Sequence, residues 1–143
     1  MDISMDNQKN LPRGLRNCNP GNIRKSDTLW RGEVPDGGDP DFCVFVSMPF
    51  GYRALIKTLR TYRKKHGCQT IAEMIRRWAP SSENNTSAYI RSVCGELQVP
   101  SSYVIDIEDR DSMCALAAAI SRHENGVEAV MEDVYLGWNL TKI

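Results

Sequence analysis

Apolar residues recur with the period of an α-helix through most of residues 50–136. Five segments carry this pattern, at 50–66, 70–79, 85–97, 109–126 and 127–136. Their ends agree with it, because Gly67, Pro80 and Gly126 are of the types that end helices. Thr70 and Glu73 have the spacing of a capping box, which begins a helix. The sequence therefore predicts a body of five helices.

Ahead of these helices the pattern changes to short extended and turn-forming stretches. Residues 42–46 (Phe-Cys-Val-Phe-Val) are rich in aromatic and β-branched types and predict a strand. Turn formers surround it at 19–22 (Asn-Pro-Gly-Asn) and at 35–40 (Pro-Asp-Gly-Gly-Asp-Pro). We therefore expect an α+β fold, mostly α, in which a helical body carries a small β wing near the N-terminus. The polar residues 1–10 predict a flexible tail, and residues 11–143 predict a single domain.

Charge and hydropathy narrow the classes of function. The chain has 18 basic and 18 acidic residues, so its formal net charge is zero, which argues against a general nucleic-acid binder. No apolar run is long enough to cross a bilayer, and the N-terminal residues lack the apolar core of a signal peptide. We therefore expect a monomer without nucleic-acid partners or membrane insertion, made in the cytoplasm without a signal peptide.

The five cysteines do not form a metal-binding pattern. They are scattered without a C-x-x-C pair, and His66 and His123 are the two histidines that could join them. His123-Glu124 also lacks the second histidine of the H-E-x-x-H zinc motif. The sequence predicts free thiols, no metal and no cofactor.

The helix predicted at 109–126 carries a carboxyl group at the end of an apolar face. Four residues spaced by four, three and four positions lie on one side of an α-helix. They are Met113, Ala117, Ile120 and Glu124. A carboxylic acid where a core-facing stripe ends is a candidate general acid of a glycosidase, which protonates a leaving oxygen. The alternative is a solvated residue in the last turn of a helix that Asn125-Gly126 ends. The helix alone favours that alternative, because such ends are common.

The turn-rich segment near the N-terminus carries a specific motif. Residues 13–24, RGLRNCNPGNIR, resemble the opening RGIRNNNPGNIR of a family of small phage and prophage proteins, described as virion structural proteins or as peptidoglycan-degrading proteins. The resemblance continues through Trp30-x-Gly32, Phe42-x-x-Phe45, Gly51-Tyr52-Arg53-Ala54, Trp78-Ala79-Pro80, Glu83-Asn84-x-Thr86-x-x-Tyr89-Ile90 and His123-Glu124-Asn125-Gly126. Cys18 departs from the family, which has asparagine there, and this puts any contact of that side chain with a substrate in question.

A second resemblance concerns mechanism. The chain is similar to bacterial glucosaminidases of the lysozyme-like superfamily, with the corresponding parts in a rotated order. Residues 19–24 resemble their Asn-rich segment, Phe42-x-x-Phe45 their strand, and residues 78–89 their tyrosine-bearing turn. Glu124-Asn125-Gly126 corresponds to their catalytic turn, moved from the front of the chain to the back. Circular permutation is tolerated when termini lie close together, so the resemblance implies a lysozyme-like domain over residues 11–143.

These resemblances imply a peptidoglycan glycosidase, which is a muramidase or glucosaminidase or else a lytic transglycosylase. Glu124 is then the general acid, and Tyr89 stabilises the charged transition state or stacks on a sugar, unless it packs in the core. The implied substrate-binding residues are Asn17, Asn19, Asn22, Trp30, Asn84 and Asn125. The second group is left open between the acetamido group of the substrate itself and a base from the wing. The candidates for that base are Asp36, Asp39 and Asp41.

The implied partners are the glycan strand of peptidoglycan and proteins of a virion or a lysis system, with action at the cell wall or in the virion. The alternative function is a non-catalytic structural or wall-binding protein of phage origin with a lysozyme-like shape. The glycosidase requires the turn at 17–24, the loop at 81–89 and a half-buried Glu124 to meet at one cleft. A Glu124 that is fully exposed, or paired with Arg122, favours the alternative.

Overall fold

A computed structural model describes residues 10–143. The predicted flexible tail, residues 1–10, lies outside the described residues except for Asn10. The helices of the described part are α1 (Arg13–Arg16), α2 (Met48–His66), α3 (Ile71–Trp78), α4 (Thr86–Leu97), α5 (Arg110–Asn125) and α6 (Met131–Leu140). The predicted mostly α-helical class is confirmed.

Several helix ends are formed by the residues that predict them. Helix α2 has Pro49 in its first turn and ends at Gly67, which takes a left-handed φ of 68°. Thr70 accepts a hydrogen bond from the backbone N–H of Glu73, whose carboxylate accepts one from the Thr70 backbone in return. Gly126, with a φ of 74°, ends α5 directly after Glu124 and Asn125.

Two helices differ from the prediction. The last helix, predicted at 127–136, spans Met131–Leu140 instead. Val127 and Val130 extend the apolar pattern in the sequence, but both side chains are exposed in the connection between α5 and α6. Helix α1 is absent from the prediction, because a single turn is too short to show a period.

The predicted strand at 42–46 is wrong. Pairing among the described residues consists of isolated antiparallel bridges, at Arg24–Phe42, Glu33–Phe45 and Thr70–Val104. The N–H groups of residues 43, 45 and 46 donate to carbonyls in different places, at Ile23, Asn17 and Gly32. The facing loop turns repeatedly, with positive φ at Gly32, Asp36 and Gly38, so no segment runs beside residues 42–46 for long enough to form a ladder. The predicted β wing is therefore irregular structure, and we refer to residues 17–46 as the N-terminal lobe.

The main core surrounds α2. Its buried side chains pack against α3, α5 and α6, and the largest are Tyr52, Leu55, Ile56 and Leu59. Helices α2 and α6 approach closely at Gly137, where an added Cβ would lie 2.6 Å from Tyr52 Cβ and 2.9 Å from the carbonyl oxygen of Pro49. A second, smaller cluster contains Cys43, Phe45 and Ala54, with Cys18, Ile23, Trp30 and Phe50 partly buried against it. This cluster attaches the N-terminal lobe to α2.

Two further features of the described part are its lack of a membrane-spanning helix and the state of its cysteines. No helix in residues 10–143 has both the length and the apolar character needed to cross a membrane. All five cysteines lie within the described residues as free thiols, three of them buried and two half-buried.

Candidate functional site

One cleft brings together three segments that are far apart in the sequence. It has a volume of about 320 Å³ and lies between the N-terminal lobe, the loop after α3 and the end of α5, and this size is typical of ligand pockets. It is lined by Gly21, Asn22, Ile23, Arg24, Phe42, Thr58, Tyr62, Trp78, Ala79, Glu83, Asn84 and Glu124. The predicted convergence of the turn at 17–24, the loop at 81–89 and Glu124 is therefore confirmed.

The Glu124 carboxylate is half-buried and is held by two neutral donors. Asn22 Nδ2 donates to Oε1 at 2.8 Å, and the Tyr89 hydroxyl donates to Oε2 at 2.8 Å. No ion pair involves Glu124 among residues 10–143. The neighbouring Arg122 points elsewhere and pairs with Glu96 at 3.0 Å and Glu128 at 3.3 Å. The carboxylate is thus fixed in position without a cation in contact with it.

Tyr89 is a buried donor and does not face the cleft. Its side chain is 1% exposed. Burial raises the pKa of the Tyr89 hydroxyl, and the adjacent Glu124 carboxylate raises it further, so the hydroxyl keeps its proton. Its ring stacks on His123, with the ring centroids 3.7 Å apart. The predicted stacking of Tyr89 on a sugar is therefore wrong, because no face of the ring is free, and the structure gives Tyr89 the role of positioning Glu124.

The turn that presents Asn22 closes over a glycine. Asn22 has a left-handed φ of 52°, a conformation that asparagine tolerates better than most residues. The side-chain oxygens of Asn22 and Asn125 are buried, have no hydrogen-bond partner within residues 10–143, and both lie against Gly14. An added Cβ at Gly14 would contact Asn125 Oδ1, and would lie 3.0 Å from Asn22 Oδ1 and 2.8 Å from the carbonyl oxygen of Asn19. The absence of a side chain at Gly14 is what leaves room for these two amides.

Two of the predicted substrate-binding amides form part of the scaffold instead. Asn19 is fully buried, and its amide bonds to the backbone of Ile23 and to the carbonyl of Cys43 at 2.9 to 3.0 Å. Asn125 is 6% exposed and donates to the carbonyls of Pro20, at 3.0 Å, and Ser121, at 2.9 Å. The Asn19 amide therefore holds the N-terminal lobe together, and the Asn125 amide nitrogen joins α5 to the turn at Pro20.

The other predicted substrate-binding residues divide between the cleft and its surroundings. Asn22 and Asn84 line the cleft. Asn17 lies outside it and donates to Asp39 Oδ2 at 2.8 Å. Trp30 is half-buried against the smaller apolar cluster, which agrees with a packing role and not with a sugar platform. Of the six residues, the structure therefore leaves two with access to a ligand in this cleft.

None of the three predicted aspartates lines the cleft. Asp39 accepts two hydrogen bonds from Arg13, both at 2.6 Å, one from Asn17, and one each from the backbone N–H groups of Asp41 and Phe42. These donors, Arg13 above all, hold the pKa of Asp39 well below its usual range. Asp41 pairs with Arg13 at 3.3 Å, and Asp36 is exposed in the lobe. Asp39 is therefore a structural anion and the proposal of a base from this group is not supported.

Acid should reveal the structural role of Asp39. Because its folded-state pKa lies below the unfolded value of about 3.9, ionised Asp39 contributes stability that is present above about pH 4 and is lost as the pH falls further. We expect the Asp39→Asn variant to be less stable than the wild type near pH 7 and to lose less stability between about pH 4 and about pH 2. Urea unfolding at several pH values measures this. Asp27→Asn, at an exposed position of the same lobe, is the matched control and should leave the pH dependence unchanged.

Glu83 is the cleft carboxylate that the sequence reasoning missed. It lies on the loop between α3 and α4 and is exposed, with no ion pair among the described residues. The signal for it was present, because Glu83-Asn84 is one of the motifs that the phage family resemblance contains. Glu83 and Glu124 are thus the two carboxylates of the cleft lining.

The departure at Cys18 has a backbone explanation. Cys18 takes a left-handed φ of 52°, where asparagine is much more frequent than cysteine. Its side chain is half-buried beside the smaller apolar cluster and does not line the cleft. The left-handed conformation therefore accounts for the asparagine of the resembled family at this position, and the Cys18 side chain lies outside the cleft.

The fold and the site together define a mostly α-helical protein with a carboxylate-bearing cleft between an irregular lobe and a helical body. No known protein-family model matches the sequence. The chain is 38% identical over 117 residues to "Protein P5" of Pseudoalteromonas phage PM2, an alignment that covers 80% of this chain and 71% of that protein. The chain therefore belongs to the family of this phage protein, and the expected relationship to phage proteins is confirmed.

Proposed function

We propose that the protein is a peptidoglycan glycosidase of phage type in which Glu124 is the general acid. The observation that carries this proposal is the half-buried Glu124 carboxyl group in a cleft, held by Asn22 and Tyr89 and in contact with no cation. A general acid must face the bond that it protonates, and it must not be locked in the ionised form by a neighbouring cation. Glu124 lines the cleft, and no ion pair within residues 10–143 involves its carboxyl group.

The walls of the cleft suit a carbohydrate. Trp78 and Tyr62 contribute aromatic surface, with ring centroids 6.4 Å apart in an edge-to-face arrangement. Asn84 supplies an amide on the opposite loop, and amides pair well with the N-acetyl groups of amino sugars. Gly21 lets the turn approach Trp78 closely, since an added Cβ there would lie 2.5 Å from the indole. A helical body facing a smaller lobe across such a cleft supports a lysozyme-like arrangement.

Glu83 is our candidate for the second catalytic carboxylate. It replaces the aspartates of the lobe in this role because it lines the cleft and they do not. In an inverting reaction Glu83 would activate water on the face of the sugar opposite Glu124. A reaction that uses the acetamido group of the substrate would leave Glu83 dispensable.

The test is digestion of purified peptidoglycan sacculi. We expect the wild-type protein to release soluble muropeptides, separated by chromatography and identified by mass spectrometry, and the Glu124→Gln variant to release almost none. Reducing ends in the products indicate hydrolysis, and anhydro ends indicate a lytic transglycosylase. Sacculi that bind the wild-type protein but stay intact would contradict the proposal and favour the non-catalytic wall-binding protein.

Removing the Tyr89 hydroxyl should slow the reaction without weakening binding. Tyr89→Phe keeps the buried ring but deletes the hydrogen bond to Glu124, and bonds to charged groups are worth about 1.5–3 kcal/mol. We expect the maximal rate of muropeptide release to fall about tenfold or more, with little change in the wall concentration needed for half-maximal rate. Tyr103→Phe, at an exposed tyrosine away from the cleft, should behave as the wild type. A matching loss in both variants would remove Tyr89 from the mechanism.

A further inference from the structure

We propose that one face of α2 binds the surface of a membrane that contains anionic lipids. Four basic residues recur along this helix at spacings of four, three and four positions, which places them on one side over about 16 Å. They are Arg53, Lys57, Arg60 and Lys64, and we refer to them as the basic stripe. The proposal does not depend on the glycosidase activity.

The basic stripe has no acidic counterpart within the described residues. None of its four members forms an ion pair there. Partial burial lowers the pKa of Lys57, and Arg53, Arg60 and Lys64 lower it further. Clustered like charges repel one another, so this arrangement is relieved by an anion from outside the chain.

Arg63 shows by contrast what a structural arginine on the same helix looks like. Its guanidinium donates to the backbone carbonyls of Cys68, Gln69 and Ile105, at 2.5 to 2.9 Å. Arg63 therefore fastens the end of α2 to the connection between α2 and α3 and to the connection between α4 and α5. Lys57, which is half-buried, and Lys64, which is exposed, have no such acceptor within residues 10–143, which leaves their charges available for a partner.

Further cations and exposed apolar side chains extend the stripe at both ends. Arg31 lies 5.8 Å from the Phe50 ring. Burial lowers the pKa of Arg53, and the nearby charge of Arg31 lowers it further. Lys142 and Arg60 both lie over the Trp138 ring, at 4.5 and 4.6 Å. Leu29, on the loop that carries Arg31, is 60% exposed. Val46 is 62% exposed and lies beside this loop, because its backbone N–H donates to the carbonyl of Gly32.

This combination fits an anionic bilayer better than a nucleic acid. Cations interact with anionic headgroups at about 1 kcal/mol each, and exposed aliphatic side chains gain contact with the acyl boundary below them. The phosphate backbone of a nucleic acid offers nothing to such aliphatic groups.

Membrane binding through the basic stripe leaves the cleft open. Thr58 and Tyr62 of α2 line the cleft. Because successive residues are 100° apart around a helix, Tyr62 lies about 160° from Lys64. The membrane and a ligand in the cleft would therefore meet different sides of α2.

Sedimentation with lipid vesicles tests this inference. The probe is a vesicle of phosphatidylcholine with about 30% phosphatidylglycerol, and the test variant is Lys57→Gln with Lys64→Gln. At about 1 kcal/mol for each cation the double variant should bind about 30-fold more weakly than the wild type. The control is Arg76→Gln with Arg91→Gln, which removes the same charge from exposed positions of α3 and α4 and should change binding less than about threefold.

Three outcomes of the vesicle experiments would overturn the inference. They are no sedimentation with the anionic vesicles, equal sedimentation with vesicles of pure phosphatidylcholine, and equal loss in both double variants. Binding to a short DNA duplex that depends on Lys57 and Lys64, without binding to vesicles, would also overturn it in favour of a nucleic-acid surface. Binding that weakens from about 50 mM to about 500 mM NaCl and is lost in the stripe variant alone supports it.

Discussion

The Glu124→Gln variant is expected to lose wall-degrading activity by about two orders of magnitude or more, the usual scale for a missing general acid. Its fold should survive, because glutamine has the same shape and can keep both contacts. The amide oxygen can accept from Asn22, and the amide nitrogen can donate to the Tyr89 hydroxyl, which also accepts hydrogen bonds. We therefore expect a free energy of unfolding within about 1 kcal/mol of the wild type. Urea unfolding and muropeptide release, measured on the same preparation, check both expectations.

Glu128→Gln is the matched control for this variant. Glu128 lies just beyond α5, is exposed, and contacts Arg122 at 3.3 Å outside the cleft. It should leave muropeptide release unchanged, so that a loss in Glu124→Gln is assigned to the position and not to the lost charge. The opposite result, with Glu124→Gln active and several kcal/mol less stable, would make Glu124 a structural residue.

The Gly14→Ala variant is expected to lose about 1–3 kcal/mol of stability, the cost of adding atoms to a packed site, and most of its activity. The added methyl group would meet the side-chain oxygens of Asn22 and Asn125 and the carbonyl oxygen of Asn19. Asn22 would then move away from Glu124, which loses one of its two donors. Helix propensity alone would predict a gain in stability for this variant, because Gly14 lies in α1 and alanine is favoured over glycine in helices by about 0.5–1 kcal/mol. The expected loss therefore has the opposite sign.

Gly95→Ala provides the comparison on an open helix surface. Gly95 lies inside α4, and an added Cβ there would meet nothing within 4 Å. This variant should gain about 0.5–1 kcal/mol with unchanged activity. If Gly14→Ala gains stability in the same way and stays active, the amides around Gly14 yield to the methyl group and the packing argument fails. Thermal or urea unfolding of the two variants side by side decides between these results.

The parts of this structure that the sequence predicts are those determined by neighbouring residues. The apolar stripe of α5 placed Glu124 at the edge of the core, and the capping box at Thr70 and Glu73 located the start of α3. These signals are local, because a helix hydrogen-bonds within itself. The family resemblance added what local patterns lack, namely that the turn at 19–22 and Glu124 meet.

The failures concern features that depend on distant partners. A strand needs a neighbour, and residues 42–46 alternate correctly between buried and exposed positions but face a loop that turns away. Asn19 and Asn22 stand in one turn and are indistinguishable by type, yet Asn19 points into the core and Asn22 into the cleft. The left-handed φ of Asn22, which no local pattern displays, separates them. The sequence also did not distinguish Asp39 from Asp36 and Asp41 as a candidate base, because its partner Arg13 is 26 positions away.

The hydrogen bonds between the turn at 19–22 and α5 have a consequence for the order in which the molecule is assembled. They join residues that are 102 and 105 positions apart, Asn22 with Glu124 and Pro20 with Asn125. Contacts of such separation close long loops and are slow to form. The N-terminal lobe leaves the ribosome long before α5 does, and domains fold as their chain emerges. In a nascent chain that lacks α5, Asn22 therefore has no Glu124 carboxylate to bind, and the cleft is completed only after α5 has been translated.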